Sequence, residues 1–381
     1  MILASTMVFL DVVFFSAIAP LLPEYADDLG LSDAAAGILS ASYAAGTLLA
    51  ALPAGFVASR VGPRRTVIWG LCTLGLASLA FGFAEQILLL DLARFIQGAA
   101  GALIWAGALT WLVTSAPEEK RGSVIGTALG SAVAGALLGP ALGALAGTVG
   151  TELVFSSVLV VSLALAYAAS RIPETTAPES QTLREVARTM TSRPIVNAAI
   201  FVAVPSTLFG AIEVLVPLRI DDLGGSHAVI AAGFIAGAGL ESVLAPIAGR
   251  FSDRVGRRTP YVVGLSICAF AMLPLAAAQV LGVVLATLIV ISLGAGLCFA
   301  PAMTMISDIA ASSGLHQGFA AGVSNMAWAS GQVLGGVGGG VVATLTGNAA
   351  PCLALAALMI ATIIYALRAL SPLPIAPQAE A

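Results

Sequence analysis

Gly249-x3-Asp253-Arg254-Val255-Gly256-Arg257-Arg258 repeats the pattern Gly55-x3-Ser59-Arg60-Val61-Gly62, found 194 residues earlier. At the same offset Pro23 and Asp27-Asp28-Leu29-Gly30 return as Pro217 and Asp221-Asp222-Leu223-Gly224. Gly135-x3-Gly139 has its counterpart in Gly331-x3-Gly335, 196 residues on. Copies that keep one orientation are separated by an even number of spans, so the chain reads as two six-helix halves in parallel orientation.

The repeat lies in a sequence made for lipid. Of 381 residues 59% are hydrophobic and 9% charged, against about 25% charged in a soluble domain, and the mean hydropathy is +1.01. Each span needs about 20 apolar residues. Apolar runs and turn signals predict twelve helices, at 2–22, 34–58, 66–84, 87–114, 123–149, 151–170, 195–218, 228–249, 259–278, 280–310, 318–345 and 350–370. The first run lacks a basic leader and is interrupted by Asp11, so it reads as a span and not as a cleaved signal. The predicted organisation is an N-terminal bundle over 1–170, a linker over 171–194, a C-terminal bundle over 195–370 and a tail over 371–381. Fourteen of the 16 basic residues fall on one set of loops, while Glu24, Asp27, Asp28, Asp33, Asp221 and Asp222 fall on the other. The positive-inside rule then puts both termini in the cytoplasm of a multi-pass protein of the cell membrane.

Several classes drop out. A net charge of −4 without a basic tract gives no footprint for nucleic acid. Lys120 is the only lysine and is followed by Arg121, so no Gly-rich loop ending in Lys-Ser/Thr holds ATP phosphates. Cys72, Cys268, Cys298 and Cys352 sit in apolar runs without metal-ligand spacing and read as small fillers. No metal, no cofactor and no catalytic residue is expected. His227 and His316 fall in loops and read as solvated.

These residues resemble the major facilitator superfamily along the whole chain. Its loop signature, Gly-x3-Asp-Arg-x-Gly-Arg-Arg, is complete at Gly249, Asp253, Arg254, Gly256, Arg257 and Arg258. In the first copy, Gly55, Arg60, Gly62 and Arg64 remain, but Ser59 replaces the acid and Pro63 the first arginine. A tight Gly turn brings cations against helix ends and neighbouring acids. The resemblance makes these gating residues, with Asp308 pairing Arg254 or Arg257; positive-inside anchoring alone is the alternative.

Two further motifs narrow the class. Asp91-Leu92-Ala93-Arg94-Phe95-Ile96-Gln97-Gly98 is similar to the superfamily's buried-arginine motif, associated with proton coupling. Arg94, Gln97, Gly101 and Trp105 share one helical face. The guanidinium needs an anionic partner, either across the bundle or one turn away at Asp91. Gly135-x3-Gly139-Pro140-x2-Gly143 resembles the antiporter motif: glycines every four residues open a smooth stripe to another helix, and Pro140 loosens the backbone. Ala144 stands where the family usually has Gly.

Phe9 to Pro23, with Asp11, Phe14 and Phe15, resembles the first helix of twelve-span drug:proton antiporters and vesicular amine transporters. Burial disfavours the charge on Asp11 and a nearby cation favours it, so the group is poised to exchange a proton. By analogy with the fold, Asp11 and Arg94 form the coupling pair. Glu213 and Glu241 either carry further protons or neutralise a cationic substrate. Phe14, Phe15, Gln97, Trp105, Phe299, Met303, Asn325 and Trp328, with Gln332 beside them, are candidate pocket groups or packing residues.

The expected protein is an all-α membrane protein of two pseudo-symmetric six-helix bundles. It is expected to act as a monomer, exporting a small amphipathic or cationic compound against protons. A nutrient symporter or facilitator is the rival within the fold; a membrane sensor or lipid-handling protein is the rival outside it.

Overall fold

The computed structural model describes residues 2–116, 121–173, 188–312 and 317–370; the side chains of 121–125, 245, 246, 253, 311 and 317–321 lie outside the described set. Lys120, Arg184, His316, the Asp253 side chain, most of the predicted linker and the 371–381 tail therefore fall outside it.

Among the described residues twelve long helices follow one another: α1 Ile2–Asp28, α2 Asp33–Val61, α3 Pro63–Gly82, α4 Ile87–Ser115, α5 Arg121–Val149, α6 Thr151–Ser170, α7 Arg193–Asp222, α8 His227–Val255, α9 Arg258–Ala276, α10 Leu281–Ser312, α11 Gln317–Thr346 and α12 Ala349–Ala369. Eleven are long and apolar enough to cross a membrane. α11 is polar by comparison because Asn325, Gln332 and a run of glycines dilute its apolar residues. The chain is a multi-pass membrane protein.

Short Gly turns join the helices. Gly62 and Gly256 occupy φ 97° and 84°, and Gly30 and Gly224 occupy 60° and 77°. Both pairs are repeat mates, so the repeat fixes where the chain reverses, in a backbone region side chains disfavour. α1 continues six residues past its predicted end, to Asp28, and is interrupted at Ala17. Pro20 accounts for the interruption: it lacks an N–H and its ring crowds the carbonyl of Ser16, four residues back.

The apolar core is in two clusters, one drawn from α1 to α6 and one from α7 to α12, with Val214 of α7 joining the first. Within each half the same helices pair. α5 lies on α1, where a Cβ at Gly135, Gly139 or Gly143 would land 2.7 Å from the Phe9 carbonyl, 2.5 Å from that of Val13 and 2.0 Å from that of Ala17. α11 lies on α7 in the same manner, with Gly331 and Gly335 against the carbonyls of Ala203 and Thr207 at 2.2 and 2.0 Å. The stripe predicted for α5 thus has α1 as its partner.

Between the halves, α2 packs along α11 and α5 along α8. At the end carrying Asp27, Asp28, Asp221 and Asp222, here the acidic end, Gly37 meets Gly336 and Gly340 meets Asp33 backbone to backbone. There the Ala34 N–H donates to Thr344 Oγ1 at 2.9 Å. His227 is not simply solvated, as its loop position suggested. It opens α8, packs over Gly147 and faces Glu24 of α1, Nε2 to Oε2 3.9 Å.

Candidate functional site

Asp11 lies mid-helix in α1 and is 1% exposed. Its carboxylate has one donor on each oxygen: Tyr43 Oη of α2 donates to Oδ1 at 2.7 Å and Trp105 Nε1 of α4 to Oδ2 at 3.1 Å. Gly101 makes room for it, since a Cβ there would be 2.4 Å from Tyr43 Oη and 2.7 Å from Asp11 Oδ1. Two hydrogen bonds compensate part of the cost of burying a carboxyl group.

Arg94, also 1% exposed, is held mainly by backbone through Nη1 and Nη2, while its Nε has no hydrogen-bond partner among the described residues. Nη1 donates to the Phe14 carbonyl and Nη2 to that of Phe15, each at 3.1 Å, close to the helix interruption. Nη1 also donates to Gln97 Oε1 at 3.2 Å, and Gln97 Nε2 to Ser78 Oγ at 3.0 Å. No ion pair joins Arg94 to Asp11 or to Asp91 among the described residues, though Arg94 and Asp11 act on each other electrostatically. Tyr43 touches both members instead: its hydroxyl holds Asp11, and the guanidinium carbon of Arg94 sits 5.1 Å from its ring centroid. Sequence reading missed Tyr43, an aromatic residue within an apolar run of α2. The one available hint was Gly98, where a Cβ would be 1.8 Å from the Tyr43 carbonyl.

A cavity of about 300 Å³ opens between the halves, walled by α1, α5, α7, α8, α10 and α11. Phe15, Phe299, Met303 and Trp328 line it, as do Glu213, Glu241, Pro140 and Gln332. Phe15 carries the first half into the second, edge-on to Trp328 with centroids 5.2 Å apart, while its other side meets Tyr43 at 5.0 Å. Glu213 and Glu241 have no hydrogen-bond or ion-pair partner among the described residues. Glu213 lies within electrostatic reach of Arg94, as does Asp11.

Four expected pocket groups are elsewhere. Phe14 turns from the cavity onto Phe155 of α6, centroids 6.1 Å apart, because adjacent helical residues point about 100° apart. Gln97 is consumed by Arg94 and Ser78, and Trp105 by Asp11. Asn325 stands one turn from Trp328, away from the acidic end, and is not part of the lining.

At the loop signatures, Arg257 donates to Asp308 and Thr304 of α10, so the acid predicted to pair with Arg254 or Arg257 meets Arg257. Arg254 and Arg60 are exposed. Ser59 donates to Phe56 of its own helix at 2.9 Å, where the second copy has an acid. Arg64 donates to the Ile172 carbonyl at 2.8 Å, closing the end of α6.

Known proteins are similar to the chain in sequence. The chain is similar to the MFS-type transporter ppzB of Metarhizium majus, 30% identical over 31% of this chain and 27% of that relative, little more than a quarter of its length. It is 25% identical to the multidrug resistance protein MdtG of Proteus mirabilis, over 70% of each chain. To the chloramphenicol resistance protein of Streptomyces lividans it is 28% identical, over 62% of each. The family model of the Major Facilitator Superfamily matches residues 4–310 and 198–381, which together extend across nearly the whole sequence. With that match, and twelve long helices paired alike in both halves, the chain belongs to the Major Facilitator Superfamily.

Proposed function

We propose that this transporter is a proton-coupled antiporter that exports small amphipathic or cationic compounds by alternating access. The observation that carries the reading is the division of acids around one cavity. Asp11 is sealed behind Phe15 and Tyr43, while Glu213 and Glu241 face the cavity with no hydrogen-bond or ion-pair partner among the described residues. In this reading Asp11 carries the proton and Glu213 and Glu241 meet the positive charge of the cargo. Arg94 is the electrostatic neighbour common to Asp11 and Glu213, so a charge change at one acid is felt at the other. Proton and cargo then disfavour each other's occupancy, and linkage of that sign produces exchange.

The aromatic wall of Phe15, Phe299 and Trp328 suits an apolar or aromatic body, and the two carboxylates suit a cation. Resistance proteins among the relatives support an efflux role. The basic loops would face the cytoplasm with both termini, the bundles 1–170 and 195–370 would rock about the α2–α11 and α5–α8 seams, and the protein would work as a monomer. Moving one charge through the membrane potential supplies about 2.3 kcal/mol per 100 mV, or roughly 50-fold accumulation.

The test is reconstitution into liposomes with an imposed pH gradient and a panel of cationic, anionic and neutral compounds. Expected is proton movement stimulated by cationic amphipaths and opposite in direction to theirs. Co-directional movement would assign a symporter, and movement indifferent to the gradient a facilitator.

A further inference from the structure

The partners of Asp11 differ in what they are able to do. Indole N–H only donates, whereas a phenol both donates and accepts. The charged carboxylate suits both as donors, and Tyr43 and Trp105 each use one of its oxygens. Once protonated, the acid carries an O–H that needs an acceptor in a buried site, where an unmade hydrogen bond costs about 1–3 kcal/mol. Trp105 on Oδ2 supplies none. Tyr43 Oη, 2.7 Å from Oδ1, does.

We infer that Tyr43 is a positioning residue for the proton on Asp11: its hydroxyl donates to the charged carboxylate and reverses to accept when a proton binds, so Oδ1 is the oxygen that receives it. The step forms an O–H bond at Oδ1 with a proton given up by a hydronium ion, which is left as water, and breaks no bond in Tyr43, whose own hydrogen swings away by rotation about the C–O bond. The inference rests on the reading of Asp11 as the proton carrier.

Geometry gives that reversal a route to the seam. The ring whose hydroxyl must turn also lies under Arg94 and against Phe15, and Phe15 meets Trp328 of the other half. The hydroxyl and carboxylate touch directly at 2.7 Å, and Gly101, lacking a side chain, leaves them the room to do so. The other titratable groups acting on this node are Arg94 of α4 and, through Arg94, Tyr25 of α1 and Glu213 of α7.

Infrared difference spectra of the full chain in lipid, taken between alkaline and acidic buffer, test it. Asp11→Asn assigns the carboxylic-acid C=O band, Tyr43→Phe removes the hydroxyl while keeping the ring, and Trp105→Phe removes the donor to Oδ2. Expected in the wild type is an Asp11 band that rises together with a change in a tyrosine C–O mode. In Tyr43→Phe the tyrosine change should be lost and the Asp11 band should titrate at a displaced midpoint, whereas Trp105→Phe should move the C=O frequency and keep the tyrosine change. An Asp11 band in Tyr43→Phe with wild-type frequency and midpoint overturns the role of Tyr43 and leaves the proton-carrier reading standing. A wild-type protein without any Asp11-dependent band overturns that reading and the inference together.

Discussion

The two halves fold the same repeat around opposite kinds of polar chemistry. In the first half Asp11, Arg94, Gln97 and Ser78 are buried and joined to one another's neighbours by hydrogen bonds of 2.7 to 3.2 Å through Tyr43 and Trp105. In the second half the core is apolar around Phe201 and Tyr261, whose hydroxyl donates to the Phe201 carbonyl at 2.9 Å. Its intramembrane acids Glu213 and Glu241 are instead on the cavity wall, with no hydrogen-bond or ion-pair partner among the described residues. Buried polar groups are retained at low cost only when satisfied. One half is therefore built to hold a charge in place, and the other to present charge to something that arrives.

If that contrast is correct, substitutions at matched chemistry should differ in kind between the halves. The largest effect is expected from Asp11→Asn, which keeps the shape of the site: proton-driven export should fall more than about 100-fold, roughly 2.7 kcal/mol or more of coupling, with membrane insertion retained in a protease-protection assay. Next come Glu213→Gln and Glu241→Gln. Each should weaken binding of a cationic compound about tenfold, near 1.4 kcal/mol, while a neutral compound of the same size is bound as before; equilibrium binding in detergent separates the two outcomes. A packing pair then sharpens the comparison. Gly101→Ala drives a methyl into Asp11 and Tyr43 and should cost about 1–3 kcal/mol of thermal stability. Gly296→Ala, whose Cβ would stand 3.4 Å from Glu241 Cγ, should stay within about 0.5 kcal/mol. A small effect is also expected from Asp308→Asn at the Arg257 contact, where the carboxylate is half-exposed: about 1 kcal/mol or less on thermal unfolding.

The same contrast explains what was legible before the structure. Helix positions, the repeat and the α5 stripe follow from hydropathy and spacing, which are local properties of the chain. A buried Arg94 and Asp11 announce themselves because a charge in an apolar run has few affordable surroundings. Their actual connection was not legible, since Tyr43 lies on a third helix and gives an apolar run no anomaly. Phe14 and Phe15 are indistinguishable in sequence, yet one packs on Phe155 and the other on Trp328. Only the packing of α1 against α5 and α6 decides between them. Likewise the Gly pairs that seal the acidic end, Gly37 with Gly336 and Asp33 with Gly340, require knowing that α2 and α11 are neighbours.

The two seams repeat the lesson at larger scale. α2 and α11 approach backbone to backbone at Gly336 and Gly340. On α5 the repeat mates of those two positions are Pro140 and Ala144, and Pro140 lines the cavity. The seam with glycines is suited to close contact and the seam with proline to a wall that faces cargo.

Proton release on addition of a cationic amphipath to the purified protein, followed with a pH dye in weakly buffered solution, tests the central claim most directly. Wild-type protein is predicted to release protons in proportion to the compound bound, and Asp11→Asn to bind the compound while releasing none of the Asp11 proton. Equal release from both proteins would contradict an exchange of cargo for the proton on Asp11.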